Sequence, residues 1–315
     1  MSLHSKFRHA FTVALSVSFL GLLAQAFAQP PSSRIRPVST KFAFVVEENG
    51  TESVALFDAK GNVIDTISLR EDVAVFGSSD FFALLSRDLS RPQRGVQILD
   101  ARGTVVSAFR IPRDMDIAVG RQTIVLYPRA EHSVGTAYDL EFRSFHGKPF
   151  AAYQREDLML RTVESASNDN WVAISLNRAR GRYIVDHFGV NGKHLWKFEV
   201  EGLAVPTVGI SASGDRAAVG VLLDDLRTSR FYLLDGSGVP SGTRDVPEFR
   251  SAIFSHDERY LLLVGQGAVQ LLSAQDASTL WSSSEDVFLA PGKSVAFSSD
   301  DTRFYLVSQE RRPSG

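Results

Sequence analysis

The sequence predicts an all-β fold in which a unit of four antiparallel strands recurs every 42 to 46 residues. Two observations carry this expectation. The first is a repeated turn: Phe57-Asp58-Ala59-Lys60-Gly61-Asn62-Val63 and Leu99-Asp100-Ala101-Arg102-Gly103-Thr104-Val105 each read as an apolar strand, an Asp-x-x-Gly turn and a second apolar strand, with the glycines 42 residues apart. Looser copies place turn glycines at Gly147, Gly192 and Gly238, at further steps of 44, 45 and 46. The second is the near absence of helical period. Short runs rich in Val, Ile, Leu, Phe and Tyr alternate with Gly, Asp, Asn and Ser, the punctuation of strands and turns. A period in the forties with several short strands per repeat indicates the blades of a β-propeller rather than a helical solenoid.

The elements follow in order along the chain. Lys6, Arg8 and His9 form a short basic start, Phe11 to Leu23 is an apolar run, and Ala26-Phe27-Ala28 supplies small residues, which together predict a secretory signal over residues 1–28 cleaved before Gln29. The apolar run is short for the ~20 residues that a membrane span requires. The expected mature protein is therefore exported, secreted or periplasmic, with no membrane span. The chain has no cysteine, so disulfides, thiolate metal sites and lipid attachment through an N-terminal Cys are excluded, and stability has to come from burial. Residues 29–40 carry Pro30, Pro31, Pro37 and several serines and read as an extended linker. Residues 41–308 form the propeller and 309–315 a polar tail. Removing the signal takes away Lys6 and Arg8, so the formal charge moves from −2 to about −4, which gives no electrostatic case for nucleic acid.

With the strands of a blade labelled A to D outward from the axis, second strands are expected to begin near Phe42, Phe81, Thr123, Trp171, Ala217, Tyr260 and Phe304. Seven blades are expected, one of them incomplete, with a six-bladed ring as the alternative. Strands from the two termini would close the ring and so remove free sheet edges.

A small polar turn containing Ser and Asp precedes most of these second strands. It reads Ser78-Ser79-Asp80-Phe81, Ser167-Asn168-Asp169-Asn170-Trp171 and Ser213-Gly214-Asp215-Arg216. Two late copies lie 43 residues apart: Phe254-Ser255-His256-Asp257-Glu258-Arg259-Tyr260 and Phe297-Ser298-Ser299-Asp300-Asp301-Thr302-Arg303-Phe304. In these turns the chain resembles WD-repeat-like propellers. Asn191-Gly192-Lys193-His194-Leu195-Trp196 and Asp276-Ala277-Ser278-Thr279-Leu280-Trp281 resemble the repeat endings of quinoprotein-type, PQQ-like propellers. The resemblance implies architecture and no particular activity.

No reactive signature overlies the repeats. The turns at Asp58, Asp100 and Asp235 each offer one carboxylate, whereas a calcium loop supplies several, so they read as hairpin turns in which Asp bonds its own backbone and Gly takes a positive φ. The histidines outside the signal, His132, His146, His187, His194 and His256, show no spacing that gathers imidazoles on one element, and no metal or other cofactor is expected. Gly236-Ser237-Gly238 is a hairpin tip and not a nucleophile elbow. Trp171, Trp196 and Trp281 are expected to pack between blades.

Charged residues recur at two kinds of connection. Arg70-Glu71-Asp72, Arg113-Asp114 and Arg155-Glu156-Asp157 precede successive innermost strands, with aspartates 42 and 43 residues apart. They form the D-to-A connections, read either as a charged rim around the channel mouth or as turn caps and inter-blade ion pairs. On the same face lie the long B-to-C connections, Arg87 to Gly95, Pro128 to Thr136 and Leu222 to Ser229, carrying Arg87, Asp88, Arg91, Arg94, Arg129, Glu131, Asp224, Asp225 and Arg227. Insertions gathered on one face are where repeat proteins place recognition, and mixed charge suits a protein partner. The expected function is a non-enzymatic, monomeric scaffold that binds a protein or envelope component through this face. Two alternatives stand beside it. One is a hydrolase, lyase or lactonase using Asp72, Asp114, Glu156, Asp157 and His132; the other is a small-ligand or glycan sensor.

Overall fold

A computed structural model of the chain describes residues 12–13, 42–48, 51–57, 62–68, 73–77, 81–100, 103–129, 137–156, 158–165, 169–265, 268–283, 295–297, 301 and 304–308. The first strand in chain order is β1 (Thr12–Val13). Sheet I holds β2 (Phe42–Glu48), β3 (Thr51–Phe57) and β4 (Val63–Ser68). Sheet II holds β5 (Val73–Gly77), β6 (Phe81–Ser86), β7 (Gln93–Asp100) and β8 (Val105–Pro112). Sheet III holds β9 (Met115–Val119), β10 (Thr123–Pro128), β11 (Ala137–Ser144) and β12 (Pro149–Glu156). Sheet IV holds β13 (Met159–Ser165), β14 (Trp171–Asn177), β15 (Arg182–Phe188) and β16 (His194–Glu201). Sheet V holds β17 (Ala204–Ile210), β18 (Arg216–Leu222), β19 (Thr228–Asp235) and β20 (Pro240–Pro247). Sheet VI holds β21 (Phe249–Phe254), β22 (Tyr260–Gly265), β23 (Ala268–Ser273) and β24 (Thr279–Ser283). Sheet VII places β26 (Phe304–Ser308) between β25 (Val295–Phe297) and β1.

These sheets are the blades of a β-propeller, sheets I to VI each built from strands that follow one another and pair antiparallel. In sheet II, Val75 faces Leu84, Leu84 faces Gln97 and Gln97 faces Ala108. Second strands open at Phe42, Phe81, Thr123, Trp171, Tyr260 and Phe304 as the sequence predicts, and β18 opens at Arg216, one residue before the expected Ala217. The outermost strands leave one edge unpaired. Pro112, Pro149, Pro240 and Pro247 at the ends of β8, β12 and β20 withhold donors that would otherwise template edge-to-edge association.

The apolar core lies between sheets. Ala83, Leu85, Val96 and Ile98 of sheet II pack with Ile117, Val119, Ile124 and Leu126 of sheet III. Tyr138, Leu140 and Phe142 of sheet III pack with Leu160, Trp171, Ile184 and Phe188 of sheet IV, and the same arrangement joins sheets IV to V and V to VI. Trp171 is fully buried and its indole N–H donates across the interface to the Thr123 hydroxyl at 3.2 Å. Trp196 packs with the residues of sheet V. Trp281 departs from expectation, being 45% exposed, although its ring centroid lies 5.9 Å from that of Phe304 in sheet VII.

Two devices at the same end of the blades set the spacing between sheets. In the C-to-D turns, Asp100 and Asp235 bond their own backbones as the sequence predicts: the Asp235 carboxylate accepts from the Ser237 and Val239 amides at 2.9 and 3.0 Å, and Gly238 takes φ 80°. The Ser237 hydroxyl, also donating to Asp235, leads the bonds that hold its carboxyl below the ordinary range. Gly238 lies against the Trp196 ring of the preceding sheet, so that a Cβ there would stand 2.8 Å from it. In sheet VI the equivalent turn residue is Ala277, and the preceding outer strand facing it carries Gly242. Bulk missing on one side is supplied on the other.

In the A-to-B turns, acids reach back one blade. The Asp169 carboxylate accepts from the Arg121 and Gln122 amides at 2.5 and 2.8 Å. Glu258 accepts from the amide and hydroxyl of Ser213, and Asp301 accepts from the His256 and Asp257 amides at 2.9 and 2.8 Å. All three acids have φ near 60° (63°, 58° and 54°), a conformation that costs a non-glycine residue about 1 kcal/mol, whereas each hydrogen bond to a charged acceptor returns about 1.5–3 kcal/mol.

Closure of sheet VII uses an N-terminal strand, with Thr12 paired to Ser308 and Val13 to Val307. That strand lies within the segment read as a secretory signal. Cleavage after Ala28 would uncover the outer edge of β26.

A comparison of two glycines separates backbone strain from steric overlap. Gly181 has φ 64° with open space where a Cβ would go, whereas Gly238 has φ 80° and the Trp196 ring. Gly181→Ala should cost about 1 kcal/mol and Gly238→Ala about 2–4 kcal/mol, read from urea unfolding midpoints. Equal losses would remove the close approach as a determinant of blade spacing.

Candidate functional site

The B-to-C loops and D-to-A connections share one face of the ring and are tied together by main-chain hydrogen bonds. The Arg113 amide donates to the Pro92 carbonyl at 3.1 Å, Arg129 to Asp114 at 2.8 Å, Leu203 to Leu222 at 2.9 Å and Glu248 to Arg227 at 2.7 Å. The long loops therefore lie over a frame of neighbouring strands. Two of them also close on an aspartate. Asp88 accepts from the Ser90 amide and hydroxyl at 2.9 and 2.6 Å. Asp225 accepts from the Arg227 and Thr228 amides at 2.9 and 2.8 Å and from the Thr228 hydroxyl at 2.5 Å. The serine and threonine hydroxyls, followed by the amides, hold these two carboxyls below the ordinary range.

This frame displays apolar side chains among charges. Leu89 is 41% exposed, Leu203 47% and Leu226 60%. Leu226 has φ 57° and sits at the tip of the loop that Asp225 closes, with its amide bonded to the Leu223 carbonyl at 3.0 Å. No feature of the sequence pointed to these leucines, because an isolated Leu in a polar loop carries no periodicity.

Of the predicted site residues, Arg87, Arg91, Arg113, Asp114, Asp224 and Asp225 are exposed on this face and Arg129 is half-buried. Arg91 lies 3.6 Å from Asp88. Arg70, Asp72 and Asp157 lie outside the described residues, as do Glu131 and His132. Arg94 requires correction. It is 4% exposed, its Nε donates to the Ser86 carbonyl at 2.7 Å, and its Nη1 donates to the Met115 carbonyl at 3.0 Å and to Asp116 at 2.9 Å. The loop ends at Pro92, so Arg94 is the second residue of β7 and the strand alternation turns it inward. It is a strut between sheets II and III and not a group of the exposed rim.

Arg155 also turns inward, lying 3.9 Å from Asp186 of the next sheet. Fully buried Asp186 accepts from His194 Nε2 at 2.8 Å and from the Tyr138 hydroxyl at 3.5 Å, while the Tyr153 ring stacks on His194 at 5.3 Å. Burial, then the Asp186 charge, pushes the Tyr153 phenol up to about 12 and raises Tyr138 as well. The arrangement joins sheets III and IV through one carboxylate. Beside it, His187 is 1% exposed, with neither ring nitrogen bonded to a protein group. Burial, then repulsion from His194, pushes its pKa down to about 4. Among the described residues, no three His, Cys, Asp or Glu side chains are grouped to hold a metal ion.

No family model and no curated protein sequence matches the chain. Solved structures do. A Kuenenia stuttgartiensis hydrazine synthase chain is similar over 87% of this chain and 94% of its own, at 14% identity and a TM-score of 0.57. Kluyveromyces lactis Hsv2 is similar over 85% of this chain and 94% of its own, at 11% identity and a TM-score of 0.50. KlHsv2 with loop 6CD replaced by a Gly-Ser linker gives 11% identity, the same coverages of 85% and 94%, and a TM-score of 0.53. Likeness at these identities defines the fold. The chain is a β-propeller protein.

The buried imidazole gives a pH signature. Its pKa is about 4 in the folded protein against an ordinary 6.5, so below pH 6.5 the unfolded chain takes up a proton that the folded chain refuses. The neutral ring's contribution is complete above that pH and falls away toward pH 4, by as much as about 3 kcal/mol. His187→Phe should flatten the fall in the urea midpoint across this window. An unchanged slope would mean that His187 is protonated without cost.

Proposed function

We propose that this chain is an exported β-propeller scaffold that binds a protein partner or an envelope component through its B-to-C loop face. The observation that carries the reading is Leu226. A leucine with φ 57° at an exposed loop tip costs about 1 kcal/mol that no burial within the chain recovers. The Asp225 bonds nevertheless hold it there. An apolar group fixed outward, with exposed Arg91, Arg113, Asp224 and Arg227 on the same face, has the composition of an interface anchor within a polar rim. Because the loops are already tied to the connections beneath them, binding would spend little ordering entropy. The basic-apolar-small pattern of residues 1–28 supports export. The scaffold needs no cofactor and acts as a monomer.

Recovery from envelope extract tests the loop face. Immobilised wild-type protein should enrich a partner that Leu226→Ser combined with Arg91→Glu and Arg227→Glu recovers at least about tenfold less, provided both proteins melt alike. Equal recovery would remove this face as the binding surface.

A further inference from the structure

The opposite end of the outer strands carries a second surface of different chemistry. Val106, Phe150 and Leu195 each occupy the second position of a fourth strand, in β8, β12 and β16. They are 42%, 46% and 49% exposed, and Val190 in the adjoining turn is 54% exposed. The three outer-strand positions recur at intervals of 44 and 45 residues, so they lie at one level on consecutive blades.

The surface is continuous because each turn rests on the outer strand before it. A Cβ on Gly147 would stand 3.0 Å from the Phe109 ring, and one on Gly192 would stand 2.7 Å from Ala151, the residue next to Phe150. The same turns carry exposed Lys148 and Lys193. Acidic groups of these outer strands stand at the other end: Glu156 closes β12, and Glu199 and Glu201 lie toward the end of β16. The turns of sheets II, V and VI instead hold Asp100, Asp235 and Asp276, each engaged with its own backbone. The cationic character is thus concentrated on sheets III and IV, while the apolar level also recurs on sheet VI, where Leu280 holds the second position of β24 and is 52% exposed.

The geometry points to an anionic lipid surface as the occupant of this rim, with the propeller seated on its edge. Half-exposed aliphatic and aromatic side chains at one level would enter the boundary between headgroups and acyl chains, and the lysines beside them would meet lipid phosphates. The loop face remains directed elsewhere. A protein partner would not need apolar side chains held at one level on consecutive blades beside lysines.

Flotation with phosphatidylcholine vesicles containing phosphatidylglycerol, against phosphatidylcholine alone, tests this with the protein recovered from an exporting host. Wild type should bind the anionic vesicles at least about tenfold better, and less so as salt rises. Phe150→Ser with Leu195→Ser, and separately Lys148→Glu with Lys193→Glu, should each lose about tenfold, while Leu226→Ser on the loop face floats as wild type. Phe150→Trp gives a readout that does not depend on whether those variants fold, since its emission should shift to the blue on adding anionic vesicles. Variants that float like wild type overturn the assignment. So does a Phe150→Trp spectrum that does not move, or a rim that captures a protein from envelope extract while the chain ignores vesicles.

Discussion

Burial between neighbouring sheets is the constraint on which the rest of this structure depends. A four-stranded sheet is too thin to hide its own apolar faces, and the buried clusters in this chain each draw on two consecutive sheets. With no cysteine in the chain, no covalent cross-link fixes one sheet against the next. The relative position of two sheets follows from how closely their side chains approach, from the glycine facing Trp196, and from carboxylates such as Asp169 that reach the amides of the preceding turn. The loop face inherits its geometry from these contacts, because its loops hang from strand ends whose spacing is set at the opposite end of the blades.

The parts of this design that are local in sequence are legible there. Strand alternation and the Asp-x-x-Gly turns disclose the repeat, and the second strands open where the pattern of polar turn and apolar run predicts, because one short segment contains all the information involved. The acids at Asp169, Glu258 and Asp301 illustrate what is not legible. Each looks like an ordinary member of a polar turn, yet the amides it accepts from belong to residues one repeat away. Arg94 shows a different limit. Moving a loop boundary by three residues carries an arginine from solvent into an ion pair with Asp116, since neighbouring positions in a strand face opposite sides. The exposed leucines of the loop face carry no periodicity at all, whereas the apolar rim is periodic but is spelled with residues that would equally well be core.

The two surfaces differ in how they are built. The loop face uses irregular segments closed by aspartates, so its side chains are individually placed and its chemistry is mixed. The turn-end rim uses regular strand positions, so it repeats from blade to blade. Irregular loops suit a partner with its own shape. A repeated level of half-exposed residues suits a partner without one, and the two surfaces at opposite ends of the strands would let one ring bridge a planar boundary and a discrete molecule.

The exchange of Gly238 and Trp196 at one interface for Ala277 and Gly242 at the next has a consequence for how such a chain can change over generations. Repeats of similar length invite duplication, deletion and reordering, and their backbones would superpose well enough to permit it. Their side chains would not. A copy of sheet VI inserted after sheet IV would bring the Ala277 methyl toward the Trp196 ring at the place where Gly238 now lies against it. The junction of sheets IV and V thus acts as a lock cut for a single key, and a blade that fits elsewhere in the ring would not fit there.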